Sequence, residues 1–374
     1  MIVTTNTVVF HWMQKAVGLA PYVLTGETYS VLQYMSLYPA ILLSLMLVFI
    51  YYCAGQTITI AGVPFSSYVT CIGGMLSLRH LIFRQTAAVN AHNDLIAATY
   101  ALNKYKQIDY KRLDTARTIE FVFSVVMMTC SSVYMVRSSE KAQWYSCLVV
   151  IYCLVMRIFL LNEFTWMINA VNINLTAVNE LLDAEQIYMS KGLSDVTNLH
   201  ERFSSCGEVT NEAFSMALFC WCMESFIKIS YSLYHLSVCT LYPAYVTCGI
   251  ARGESLFNLI WHLVQLCYMV RLCQLSTSAA QSSPSIIHEI LRNSETSEDV
   301  TENLEKFSFQ LIPKFYFSGN GFFIVDYTFI TTLVGLITTY VMIFVQFFVM
   351  DNANILPDVK EVHTFVDRFK APKN

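Results

Sequence analysis

The chain has 374 residues, of which 55% are hydrophobic and only 13% are charged, and its mean hydropathy is +0.48. Soluble globular domains carry about 25% charged residues, so this composition excludes an ordinary soluble domain and indicates a polytopic membrane protein. The net charge of −4 provides no basic surface for nucleic acid, and the twelve cysteines are scattered without the paired spacing of a zinc site. We therefore predict no nucleic-acid partner, no metal and no other cofactor.

Seven segments of the chain are apolar enough to cross a membrane, which takes about 20 residues. The first two share a long uncharged stretch that turns at Gly and Pro residues near 54–64. The predicted spans are 31–53, 60–82, 118–136, 145–170, 213–241, 254–273 and 325–350. The sequence therefore predicts an all-α membrane protein with seven transmembrane helices.

The Lys and Arg residues of the connecting loops predict the orientation of the spans. With the N-terminus in the cytoplasm, fourteen of them lie on the cytoplasmic side and seven outside. The long connections, 83–117, 171–212 and 274–324, then fall on the cytoplasmic side, and they carry apolar residues at helical spacing. We expect them to continue the spans as helices that pack into a cytoplasmic anchor, with a break near Gly192.

This arrangement divides the chain into five predicted regions. They are a cytoplasmic segment 1–30, spans one to six in 31–273, a cytoplasmic loop and anchor helix in 274–324, the seventh span in 325–350 and an extracellular tail in 351–374. No removable signal peptide is expected at the start, because no basic region precedes an apolar core. The sequon Asn174-Leu175-Thr176 falls on the cytoplasmic side and should carry no glycan.

The seventh span carries a line of polar or small side chains on one face of an otherwise apolar helix. Its members recur at steps of seven, which is close to two helical turns: Thr332, Thr339 and Gln346, flanked by Thr328, Gly335 and Met342. Two interpretations are open. The line either lets helices pack closely and hydrogen-bond, or it faces water along an ion path that several copies surround.

The segment FYFSGNGFFIVDYTFITTLVGLITTYVMIFVQFF (315–348) resembles the C-terminal signature of insect gustatory receptors, which is Thr-Tyr, five hydrophobic residues and Gln-Phe. Thr339, Tyr340, the run 341–345, Gln346 and Phe347 match it. The resemblance implies a tastant-gated cation channel in the plasma membrane of gustatory sensory neurons. It also implies a homotetramer around a central pore in the lipid bilayer, with related receptor subunits as the alternative partners.

On this resemblance, the last helix of each subunit lines the pore. Phe347 is the expected hydrophobic gate, and Gln346 would offer its amide to hydrated cations. Tyr340 and Asp326 are expected to fix the packing of the helix. Val341 stands where receptors of the sugar branch commonly carry Glu, which favours a bitter plant compound and leaves a fructose-type receptor open. The expected pore and gate residues are Thr332, Thr339, Met342, Ile343, Gln346 and Phe347.

A ligand pocket is expected in the outer halves of spans four to six, where aromatic rings with hydrogen-bonding tips occur at helical spacing. Such a lining suits flat alkaloid-like or glycosidic ligands. The alternative is that these polar side chains only satisfy one another within the helix bundle. The expected pocket residues are Tyr152, Lys228, Tyr231, Tyr234, His235, Phe257, Asn258, Trp261, His262 and Gln265.

Four charged side chains fall inside predicted spans four and five. Glu224 and Lys228 are four residues apart, in the order that favours an ion pair along a helix. Arg157 and Glu163 are six apart and do not share a helix face, so each needs a partner on another helix. We expect these charges to be neutralised within the bundle.

Three other classes of protein are alternatives to the channel. A G-protein-coupled receptor would have the opposite charge bias, an acidic-Arg-Tyr triplet after span three and Asn-Pro-x-x-Tyr in span seven, and the sequence has none of these. An intramembrane enzyme would need clustered catalytic groups. The carboxylates Glu163 and Glu224 fall on different predicted spans, and no His-rich stretch occurs, so no enzymatic activity is expected. A transporter stays as an alternative, disfavoured by the lack of an internal repeat.

Overall fold

A computed structural model describes the hairpin near the N-terminus and six long helices. The described residues are 13, 22–25, 28–31, 65–138, 144–183, 192–241, 248–293, 301–302, 304–306, 308 and 316–352. The elements are β1 (Tyr22–Thr25), β2 (Thr28–Val31), α1 (Phe65–Leu102), α2 (Lys111–Ser138), α3 (Trp144–Asp183), α4 (Gly192–Leu241), α5 (Cys248–Asn293) and α6 (Tyr327–Asn352). The predicted all-helical class is confirmed, and the antiparallel pair β1–β2 is an addition to it.

Predicted spans two to seven correspond, in order, to α1 to α6. Predicted span one, 31–53, lies outside the described residues except for Val31, which ends β2. Within the described part of the chain, four helices, belonging to α3, α4, α5 and α6, are long and apolar enough to cross a membrane. The count of seven spans and their orientation stay predictions.

Four helices, α1, α3, α4 and α5, are much longer than a membrane is thick. α4 has 50 residues, which at a rise of 1.5 Å per residue is roughly 75 Å, whereas the hydrocarbon core of a bilayer measures about 30 Å. Over the described residues the predicted extensions are helical, since α3 continues to Asp183 and α5 to Asn293. Gly192, the predicted break, is the first residue of α4.

Carboxylates fix the first turns of two helices. Asp109 Oδ1 accepts a hydrogen bond of 3.0 Å from the amide of Lys111, where α2 begins. Asp326 Oδ1 accepts hydrogen bonds from the amide of Phe329 at 2.9 Å and from Thr328 Oγ1 at 2.6 Å. Both carboxylates satisfy amides that have no partner inside the helix. Asp326, which was expected to support packing, thus acts as the N-cap of α6.

The chain forms two compact units. The first comprises Met1–Ser225 and Val264–Ile330, and the second Phe226–Leu263 and Thr331–Asn374. In the first unit α3 packs against both α1 and α2, and its core contains the buried aromatic side chains of Phe164, Trp166, Phe203, Trp221 and Phe317. The five predicted regions are consecutive segments of the chain, whereas each compact unit combines segments that are far apart in sequence. The units therefore do not test the predicted regions.

A glycine lets α1 and α3 approach closely in the first unit. A Cβ atom added to Gly74 would lie 3.4 Å from Cys153 Cβ, so the two helix backbones are nearly in contact. Closer to the C-terminal end of α3, Asn174 donates to Thr99 Oγ1 at 3.1 Å and accepts from Tyr110 Oη at 2.6 Å. Because Asn174 is fully buried, the folded chain leaves no room for a glycan at the sequon.

The turn before α6 requires a glycine. Gly321 has φ of +77° with no atom within 4 Å of an added Cβ, so Gly321→Ala should cost about 1–2 kcal/mol through backbone strain alone. Thermal unfolding in detergent, followed by size-exclusion chromatography, would measure the loss. Gly321→Asn should lose less, because asparagine tolerates this backbone conformation. Equal losses in the two variants would contradict the strain argument.

Candidate pore helix and ligand site

The described part of the chain covers little of the helix α6. Only 11% of its most apolar stretch is buried, and the buried positions are Leu333 and Ile337, followed along the same face by the half-buried Val341 and Val345. One narrow stripe of the helix therefore packs within the subunit. The other faces are left for lipid or for further copies of the chain.

All six predicted pore and gate residues lie on the uncovered faces of α6. They are Thr332, Thr339, Met342, Ile343, Gln346 and Phe347. The hydroxyl of Thr339 donates to the carbonyl of Gly335 at 2.9 Å, so it satisfies its hydrogen-bonding requirement within the helix. The exposed stripe can therefore face apolar or aqueous surroundings without leaving this hydroxyl unpaired.

An aromatic row directly beside the covered stripe of α6 attaches the helix to α4 within the second unit. Tyr340 makes an edge-to-face contact with Phe226 at 5.8 Å, and Tyr234 contacts Phe344 at 6.1 Å and Phe348 at 6.4 Å between ring centroids. Such pairs contribute about 0.5–1.5 kcal/mol each beyond their buried area. Tyr340, expected to fix packing, makes a packing contact, and Phe348 packs while its neighbour Phe347 is 66% exposed.

Part of the predicted ligand site comes together in the second unit. The ring of Tyr231 stacks on His235 with centroids 6.1 Å apart, and His235 Nδ1 forms a hydrogen bond of 3.0 Å with Ser255 Oγ. Arg252 donates to the carbonyl of Cys239, which links α5 to α4 near the same level. The arrangement offers an aromatic face and an imidazole held by a hydroxyl.

The other predicted pocket residues differ in their surroundings. Tyr234 contacts the aromatic row of α6 rather than His235, while Trp261 and His262 are buried. The half-buried members in the second unit are Lys228, Phe257 and Asn258. Tyr152 and Gln265 are half-buried residues of the first unit. Whether the ten residues line one cavity stays a prediction.

The charged side chains of α3 find partners on two other helices. Arg157 Nη1 lies 2.6 Å from Glu224 Oε1 of α4, and Glu224 Oε1 also accepts from Thr70 Oγ1 of α1 at 2.7 Å. Glu163 Oε2 accepts from Arg117 Nη2 of α2 at 2.7 Å. The expectation that Arg157 and Glu163 need partners elsewhere is therefore confirmed, and the Glu224–Lys228 pair stays a prediction.

Sequence reasoning missed the buried cluster around Arg117. Arg117 was counted as a loop cation, yet its side chain is only 3% exposed. Its guanidinium lies 5.3 Å from the ring of Trp166, its Nε donates to Asn162 Oδ1 at 3.0 Å, and His92 stacks on Trp166 at 4.9 Å. The available signal was Glu163 in a neighbouring span, because Arg157 is six residues away and does not share its helix face. Among the described residues, no group of three His, Cys, Asp or Glu side chains is arranged to hold a metal.

Three comparisons with known proteins bear on this architecture. A family model described as "7tm Chemosensory receptor" matches residues 9–351. The putative gustatory receptor 28b of Drosophila melanogaster is 24% identical over an alignment of 167 residues, which covers 41% of this chain and 34% of that protein. The chain thus spans about a third of the length of this curated relative.

The fold is similar to that of a solved insect receptor. The olfactory receptor OR5 from Machilis hrabei superposes with a TM-score of 0.55 at 11% identity, over 91% of this chain and 97% of that one. The similarity has the same extent for the structure of OR5 in complex with eugenol and for the structure of OR5 described without a ligand. At this identity the comparison shows a shared fold.

Proposed function

The chain belongs to the 7tm chemosensory receptor family, and on that premise we propose that it is a tastant-gated, non-selective cation channel with α6 as its pore helix. Four copies would surround the pore in the plasma membrane of gustatory sensory neurons, with related receptor subunits as alternative partners. The matched family model covers residues 9–351 and so includes the whole of α6 but for its last residue.

The observation that carries the proposal is the exposure of the motif on α6. Gln346 and Phe347 are exposed in the described structure, while the neighbouring Phe348 packs against Tyr234 of α4 and the partly exposed Tyr340 contacts Phe226. A membrane helix that places an amide on an uncovered face needs water or protein there, because an amide in hydrocarbon is costly. A pore between copies supplies both.

The proposed ligand is a bitter plant compound of moderate size, recognised by aromatic stacking and a few hydrogen bonds. Tyr231, His235 and Ser255 provide a stacking face and polar atoms in one place. Val341, in place of the Glu common in the sugar branch, supports the bitter type over the sugar type. A fructose-type receptor is the second candidate, which the same residue permits.

The test is voltage-clamp recording from cells that express this chain alone, during application of plant bitter compounds and of fructose. A ligand-evoked cation current that begins within milliseconds and persists without G-protein cofactors is the expected result. The agonist decides between the two branches. Verified surface expression with no current from any ligand would favour an obligate partner subunit or a transporter instead.

Gln346 gives a charge-based test of the pore. Four lysines at this level would repel cations by about 1 kcal/mol each at 4 Å in water, so Gln346→Lys should reduce the unitary inward current roughly fivefold or more. Gln346→Glu, of matched size and opposite charge, should maintain or raise it. Unitary currents in excised patches measure both, and identical currents in the two variants would place Gln346 away from the ion path.

A further inference from the structure

A small cavity lies in the first unit between α1, α3 and α4. It measures about 20 Å³ and is lined by small residues of α1 and by larger side chains of α3 and α4. Those used below are Thr70, Gly73, Ser77, Arg157, Trp221 and Glu224. The buried Arg157–Glu224 ion pair, with its atoms 2.6 Å apart, forms part of the wall. The cavity is separate from α6 and from the residues proposed to bind the tastant.

Besides Arg157 Nη1, which lies at ion-pair distance from Glu224, two further donors of this wall make no hydrogen bond to the described residues. Trp221 Nε1 and Arg157 Nε are both buried, and neither makes a hydrogen bond to the described protein atoms. Trp221 is only 2% exposed, so bulk solvent does not reach its indole. A buried donor that lacks an acceptor costs about 1–3 kcal/mol, and more when it is charged. Such donors at a cavity wall indicate a bound acceptor.

We propose that the cavity binds one structural water molecule that completes the Arg157–Glu224 ion pair. The water accepts hydrogen bonds from Trp221 Nε1 and Arg157 Nε and donates to the carboxylate of Glu224 and to Ser77 Oγ. The hydroxyl of Ser77 donates its own proton to the carbonyl of Gly73 at 2.7 Å, which leaves its oxygen free to accept.

The size and the chemistry of the site both fit water. A cavity of roughly 10–15 Å³ is the smallest that holds one water molecule, which requires two to four polar partners, and this one offers about 20 Å³. An anion would be repelled by Glu224 and a cation by Arg157. An apolar occupant would leave both donors without an acceptor. A neutral molecule that both accepts and donates is the remaining class, and water is the one of this size.

A water in this place would let the ion pair exist among three helices without the full desolvation cost of a dry pair. Thr70 of α1 already donates to Glu224 at 2.7 Å. With the water, each of α1, α3 and α4 contributes hydrogen-bonding groups to a single buried network. The inference concerns the folded bundle and does not depend on the proposed channel function.

Substitution of Gly73 distinguishes a hydrated cavity from a dry one. A Cβ on Gly73 would lie 3.4 Å from Cys220 Cβ, so a methyl group fits beside it. In a dry cavity, Gly73→Ala fills space and gains helix propensity, and the protein becomes more stable. In a hydrated cavity, the methyl group displaces the water and leaves Trp221 Nε1 and Arg157 Nε without an acceptor. The apparent melting temperature should then fall by about 2–4 °C.

Gly73→Ser is the matched variant, because its hydroxyl can take the place of the displaced water. It should melt above Gly73→Ala, whereas in a dry cavity the buried hydroxyl would make it melt below. Fluorescence-detected size-exclusion chromatography of the full chain in detergent, after heating, gives both melting temperatures. A more stable Gly73→Ala with a less stable Gly73→Ser overturns the proposal.

A map of the unmodified protein in lipid nanodiscs provides the direct observation, and it does not depend on any variant folding. At a resolution that shows other buried waters, density is expected within hydrogen-bonding distance of both Trp221 Nε1 and Arg157 Nε. A cavity without density in such a map would also refute the water site. Neither outcome bears on whether α6 forms a pore.

Discussion

Replacing Phe347 with alanine is expected to produce a resting cation current in cells that express the chain alone. In the proposed channel, four phenyl rings narrow the outer end of the pore and exclude water when the channel is closed. Phe347 is 66% exposed in the single chain, so its side chain is available to face the pore axis. If the ring stabilises the closed state by about 1.4 kcal/mol, its removal raises the ratio of open to closed channels about tenfold.

Phe348→Ala is the matched control, since the two residues are adjacent and chemically identical. Phe348 contacts Tyr234 of α4 with ring centroids 6.4 Å apart, so its loss removes a packing contact on another face of α6. Whole-cell conductance without ligand, normalised to surface expression, measures both. A leak confined to Phe347→Ala identifies a gate at that position. Equal leaks would mean that any loosening of α6 opens the channel.

The largest loss of stability is expected from Arg117→Met. The variant removes the guanidinium that lies 2.7 Å from the largely buried carboxylate of Glu163 and leaves His92 Nδ1, at 3.6 Å, as a remaining neighbour. Breaking a buried ion pair from one side costs about 3–5 kcal/mol, and typical domains are stable by only 5–15 kcal/mol. We therefore expect little folded protein at the cell surface and a sharply lower melting temperature in detergent.

The double variant Arg117→Met/Glu163→Met separates the charge from the packing. Replacement of a whole buried pair by hydrophobic residues is often neutral or stabilising, so most of the lost stability should return. Lys306→Met removes one partner of the exposed Lys306–Glu302 pair and should change the melting temperature little. A double variant as unstable as Arg117→Met would show that the guanidinium acts through Asn162 and Trp166 instead.

The helices were predictable because their signal is local. Long apolar runs fix where a membrane helix must be, and the helical spacing of the connections predicted that α3, α4 and α5 would continue well past the bilayer. The motif from Thr339 to Phe347 likewise pointed to the helix on which the functional argument rests. The hairpin β1–β2 was missed, although Gly26 between two β-prone runs was an available signal for it.

The pairing of residues between helices was not predictable to the same extent. An apolar helix such as α4 shows little difference between its faces, so its rotation about its own axis cannot be read from hydropathy. Tyr234 and His235 are adjacent in sequence and were assigned to one pocket, yet Tyr234 contacts α6 whereas His235 bonds to Ser255 of α5. Arg117 was taken for a loop cation because it directly precedes predicted span three, and its partner comes 46 residues later in the chain.

That separation has a consequence for how the protein is made. A ribosome delivers α2, with Arg117 at the predicted start of its membrane span, before Glu163 of α3 has been synthesised. Until α3 enters the bilayer, the guanidinium must remain among lipid headgroups or water, because burial of a lone cation in hydrocarbon is unfavourable. On the predicted topology, α2 therefore reaches its final packed position only after α3 has been inserted. The ion pair makes the insertion of one helix depend on the presence of the next.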